Sequence, residues 1–88
     1  MSNVMAVHSV GNIETWLGNE NRPGLFKQFC TGYRLYRMRD KSKVGIVWEN
    51  VDMSKFEQVL SSRETEAAKK EDTVIDPIDV FVELEGKH

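Results

Sequence analysis

Three features of the sequence predict an α+β fold, a four-stranded antiparallel sheet with its helices on one face. Four short segments, β-branched or alternating in character, are separated by stretches whose apolar residues recur at helical spacing. Those helical stretches follow the first and third strand segments, which gives the order β-α-β-β-α-β. The second and third segments are joined by only the polar Asp40-Lys41-Ser42, as an antiparallel hairpin requires. Right-handed crossovers then put strands one and three side by side in the centre and strands two and four at the edges. This is the ferredoxin-like arrangement.

Each element has its own local reason. Val4 to Val10 is rich in valine, closes at Gly11-Asn12, and is apolar at both parities, which predicts a strand buried on both faces. Asn12 is a helix N-cap, and Ile13, Trp16 and Leu17 follow at i, i+3, i+4. Gly18-Asn19-Glu20-Asn21 interrupts that helix, and Pro23 suits the first turn of a second piece whose stripe is Leu25, Phe26 and Phe29. The region 13–30 is therefore one interrupted helix. Its polar stretch 18–24 reads either as a lid at a cavity mouth or as a simple kink.

From Tyr33 to Arg39 a strand alternates, with Tyr33, Leu35 and Arg37 on one side and Arg34, Tyr36 and Met38 on the other. Val44 to Val51 returns as a strand apolar at both parities, with Gly45 marking a bulge or a close backbone approach. Asp52 or Ser54 caps the next helix, whose stripe is Phe56, Val59 and Leu60. Ser61 and Glu64 have capping-box spacing, so the helix restarts near Ser62 with a polar, solvent-facing piece from Arg63 to Glu71. Asp76-Pro77 stops it. Ile78, Val80, Val82 and Leu84 then alternate with Asp79, Phe81 and Glu83 as a half-buried edge strand.

Eighty-eight residues with 40% hydrophobic and 30% charged side chains fit a single soluble domain over 1–88. Twelve basic against 14 acidic residues leave a net charge of −2, which argues against a broad phosphate-backbone binder. Cys30 stands alone, so an internal disulfide and a multi-cysteine metal cage are excluded. No apolar run reaches the ~20 residues of a membrane span, and the start lacks a signal-peptide layout. The expectation is a cytoplasmic protein with no nucleic-acid or membrane partner. An RNA-recognition domain shares the element order, but Lys43-Val44-Gly45-Ile46-Val47-Trp48 offers one ring where base stacking needs more. Two layers also leave one face of the central strands uncovered. A second copy is the economical cover, so the predicted state is a homodimer with facing sheets.

The opening strand with its histidine, followed by Asn12-Ile13-Glu14-Thr15-Trp16-Leu17, resembles the start of the dimeric α/β-barrel superfamily, which includes antibiotic-biosynthesis-monooxygenase-like proteins. Gly32-Tyr33-Arg34-Leu35-Tyr36-Arg37 before a charged hairpin, and Phe56 through Ser62-Arg63-Glu64, are similar to its later segments. The resemblance implies a dimer with a cavity between sheets. Members of the monooxygenase branch place an Asn, a Trp and a His around a polycyclic substrate or haem. His8 and Trp48 match in residue type, whereas the histidine of that branch's second helix and an asparagine inside the first strand have no counterpart here.

His8 is the candidate catalytic residue, since imidazole titrates near neutrality; among valines it can equally be a silent strand residue. Trp48 is a candidate ligand contact or a packing residue. Tyr36 with Arg34 could hold a carboxylate or phenolate, although edge-strand arginines are commonly solvated. Phe81 and Asp79 share the side of strand four that faces away from Ile78, where Asp79 and Glu83 could act as bases or pair with Arg34 or Arg37 across the dimer. Cys30 reads as a small buried hydrophobe. No metal site and no bound cofactor are expected, because His8 and His88 are the only histidines and no ligand spacing accompanies them. The function expected is binding or transformation of a small, largely apolar or aromatic metabolite, in a cavity between helices and sheets. The alternative is a non-enzymatic dimerisation or protein-interaction module.

Overall fold

The computed structural model describes residues 2–20, 22–39 and 41–84. Along the chain run β1 (Ser2–Val10), α1 (Ile13–Gly18), α2 (Arg22–Phe26), β2 (Gly32–Arg37), β3 (Lys43–Val51), α3 (Met53–Leu60), α4 (Arg63–Glu71) and β4 (Val74–Val82). The sheet order is β2-β3-β1-β4, and every neighbouring pair is antiparallel. This is the ferredoxin-like α+β arrangement, with each of its two helical crossovers broken into two short helices.

Parity decides the layers. Val4, Ala6 and His8 of β1 lie opposite Trp48, Ile46 and Val44 of β3, and all six are buried. The helices cover that face with Trp16, Phe26, Phe29, Phe56 and Val59. Trp48 is the centre of the aromatic packing, meeting Phe26, Phe29 and Phe56 edge-on at ring separations of 5.3, 5.6 and 5.2 Å. The odd-numbered side of β1 and β3 has no such cover among the described residues. Met5 and Val7 lie there beside Val47, with Tyr36 and Phe81 at 51% and 52% exposure on the outer strands. The strands read as apolar on both faces are thus covered on one face only.

Local chemistry explains the breaks. Asn12 accepts a hydrogen bond from Thr15 N at 3.0 Å, and Asp52, rather than Ser54, accepts from Lys55 N at 3.2 Å. The second restart is capped by Ser62, one residue after the serine of the expected capping box, and its Oγ accepts from Thr65 N. Between α1 and α2 the helix is interrupted where Gly18 and Asn19 predict it.

Two strand expectations are corrected. Gly45 lies in a regular register between Val7 and Tyr36, and a Cβ there would meet Ala6 O at an ordinary 3.7 Å. Strand β3 is irregular nearer its end, where Glu49 and Asn50 stand opposite Asn3 and Asn50 takes a positive φ of 52°, and a second irregularity lies in β4. That strand starts at Val74, well before Ile78, and between the pairs Val7–Asp79 and Ser9–Ile75 it carries extra residues opposite His8. Pro77 sits in this irregular stretch, where a ladder N–H is not needed. Among the described residues, no helix is long and apolar enough to cross a membrane.

Candidate functional site

A cavity of about 720 Å³ opens between the helical layer and the sheet. Its floor is the even-numbered side of β1 and β3, including Ala6, His8, Ile46 and Trp48. Trp16, Arg22 and Phe26 form one wall, α4 forms another, and Ile78 and Val80 of β4 form the outer rim. Helix α4 lines the space with the small Thr65, Ala67 and Ala68 and with the longer Glu64, Lys69 and Glu71. The β4 bulge lies beside the histidine, where a regular strand would have presented a paired side chain.

His8 is 5% exposed, and its Nδ1 lies 3.0 Å from Ser9 O. A carbonyl oxygen can only accept, so in the neutral ring Nδ1 carries the proton and Nε2 keeps its lone pair. Burial pushes the pKa of His8 below the ordinary 6.5; the Ser9 hydrogen bond and Asp72 oppose the shift, and Arg22 and Lys69 add to it. The unfolded chain holds the proton more tightly, so stability from the neutral ring is complete above 6.5 and is lost as pH falls from there through the lower folded value. Thermal unfolding between pH 8 and 5 should therefore show a loss of stability below 6.5 that His8→Gln lacks. An unchanged pH slope in that variant would refute the assignment.

Trp48 Nε1 is fully shielded from solvent and has no hydrogen-bond acceptor among the described residues. Leaving such a donor unmet costs roughly 1–3 kcal/mol, so its persistence at a cavity floor needs a reason. Trp48 is paired with Val4, four residues along β1 from His8, which separates the two backbone positions by about 13 Å at ~3.3 Å per residue.

Arg22 is the site residue that sequence reasoning missed. It is buried, its guanidinium lies 4.3 Å from the Trp16 ring centroid, and Nη2 donates to Trp16 O. Nη2 also approaches Asp72 Oδ2 at 3.4 Å, while Asp72 Oδ1 accepts from Asn19 Nδ2. No short-range pattern could have shown this, because the carboxylate partner stands fifty positions away in sequence.

Of the predicted residues, His8 and Trp48 share the cavity, whereas Tyr36, Arg34, Phe81 and Asp79 lie on the opposite side of the sheet. One ligand cannot touch both sets. Arg34 is exposed and pairs within the chain with Glu49 at 3.6 Å. Arg37 is opposite Val44, on the helix side, so it cannot reach Asp79 across a pair of facing sheets. Cys30 Sγ lies 3.2 Å from Phe26 O and burial pushes its thiol pKa up, the opposite of what a nucleophile needs. Among the described residues no group of three or more His, Cys, Asp or Glu could hold a metal ion.

No protein-family model matches the sequence, and no curated protein matches it. Solved structures do match. A structure of antibiotic biosynthesis monooxygenase superposes with a TM-score of 0.66 at 11% identity, covering 99% of this chain and 100% of the other. A candidate antibiotic biosynthesis monooxygenase from Bordetella bronchiseptica gives 0.60 at 20% identity, with the same coverage. At these identities the likeness is one of fold, and it extends over the whole chain.

Proposed function

We propose that this chain binds an elongated, largely apolar and aromatic small molecule between its helices and its sheet, with His8 as the proton acceptor. The carrying observation is the pair of unsatisfied groups at the two ends of the floor. Trp48 Nε1 is a donor without an acceptor, and His8 Nε2 is an acceptor in a ring that burial keeps neutral. A planar molecule with a carbonyl at one end and an acidic hydroxyl at the other satisfies both, and its rings lie on Ala6 and Ile46 between them. Transfer of the hydroxyl proton to Nε2 leaves an ionised, electron-rich ring. The fold likeness to structures described as monooxygenases favours an oxygenation as the chemistry this ionisation serves.

A homodimer through the open sheet face belongs to the same reading. It covers Met5, Tyr36 and Phe81 and leaves the cavity, on the other side of each sheet, free for ligand. A module serving association alone would have no use for that cavity and would fill it.

Both tryptophans of the sequence line the cavity, so intrinsic emission reports its occupancy. Titration with naphthols and hydroxyanthraquinones should give saturable quenching, and Trp48→Phe should weaken binding by about tenfold through loss of one hydrogen bond. Absence of saturable quenching by any of these compounds overturns the reading.

A further inference from the structure

We infer that Arg22 is a second anchoring point of this cavity and that the ligand it fits carries a carboxylate; the inference rests on the ligand-binding reading above. Arg22 is only 7% exposed, yet its charge is incompletely matched. A single nitrogen, Nη2, makes both of its hydrogen bonds, to Trp16 O and, at a long 3.4 Å, to Asp72 Oδ2. The other oxygen of Asp72 is engaged by Asn19. Nε and Nη1 hydrogen-bond to nothing among the described residues, and Arg22 lines the cavity.

Stacking explains why those donors remain available. A guanidinium lying on an indole face directs its N–H groups outward in its own plane, toward whatever shares the space beside the ring. Nε–H points along the edge it shares with Nη2, whose hydrogens are already engaged, so the two N–H groups of Nη1 are the donors left for a ligand. A carboxylate can accept from Nη1, and such charge-assisted bonds are roughly twice as strong as neutral ones. Of the acidic side chains that line the cavity, Glu64, Glu71 and Asp76 are exposed and screened by water. Arg22 is buried, where the same unit charge acts through a lower effective dielectric. An anion in the cavity therefore feels Arg22 more strongly than it feels those three carboxylates.

The test compares anthracene-2-carboxylate with its methyl ester, titrated into the full chain by tryptophan quenching and by calorimetry. The acid should bind about tenfold or more tighter than the ester, the scale expected of charge-assisted hydrogen bonds. Arg22→Gln removes the charge and should abolish the acid's advantage over the ester, whatever it does to the affinity for either compound alone. Equal binding of acid and ester to the unmodified chain overturns the role of Arg22 and needs no variant to fold. Retention of the preference in Arg22→Gln overturns it as well. Failure of both compounds to bind overturns the cavity reading itself, and this inference with it.

Discussion

Trp48→Ala should destabilise the chain by about 3 kcal/mol or more, within the 3–5 kcal/mol typical of large aromatic-to-alanine changes in a core. The ring is 3% exposed and sits edge-on against three phenylalanines, so its removal leaves several favourable contacts without a partner. The existing cavity adjoins the vacated space, and water or movement of α2 can relieve part of the void, which places the cost toward the lower end. For a domain of this size each kcal/mol moves the melting temperature by roughly 4–8 °C, so a drop of at least about 12 °C is expected. Trp48→Phe keeps most of the apolar surface and deletes the unmatched Nε1 donor, so it should cost less than about 1.5 kcal/mol. Urea unfolding of both variants checks this. If alanine costs under about 1 kcal/mol, the aromatic cluster is not the centre of the core.

Phe81→Glu is expected to convert a homodimer into a monomer. Phe81 is about half exposed in the single chain and is opposite Met5 on the open face, so its replacement removes little from the protomer's own core. In a two-fold interface every change appears twice, and two carboxylates would have to be desolvated without partners. Breaking one buried charge pair already costs about 3–5 kcal/mol, and each 1.4 kcal/mol is tenfold in affinity, so the dissociation constant should rise by at least about a hundredfold. Light scattering on the eluting protein should give about 20 kDa for the unmodified chain, twice its 10.1 kDa, and about 10 kDa for the variant, whose melting temperature should lose the concentration dependence that association confers. A monomeric unmodified chain would refute the facing-sheet arrangement.

The legible parts of this fold are those governed by short-range chemistry. Asn12, the break at Gly18 and the valine-rich central strands announce their roles through neighbours within four residues. The Ser61 signal was off by one because Ser62 offers the same hydroxyl, and the next residue's geometry chose between them. The start of β4 was obscured because Pro77 argues for a strand boundary, whereas the bulge opposite His8 absorbs it inside a strand. The candidate site was half legible. His8 and Trp48 were recognisable by type and parity, but both strands were apolar on each side, so parity alone could not say which side the helices would take. Arg22 was invisible for a different reason: its stacking on Trp16 depends on the path between two short helices, and its carboxylate comes from the far end of α4.

The central place of β1 also has a bearing on the order in which the molecule assembles. Val4 is paired on one side with Trp48 and on the other with Val82, so the first strand to be synthesised waits for two strands made much later. Pairings of such long range slow folding, because loop-closure entropy is spent before the contacts form. The β2–β3 hairpin, by contrast, closes over a short loop. Until β4 arrives, β1 keeps a free hydrogen-bonding edge, and the chamber beneath the helices lacks its Ile78–Val80 rim. The cavity is thus incomplete until the last strand is in place.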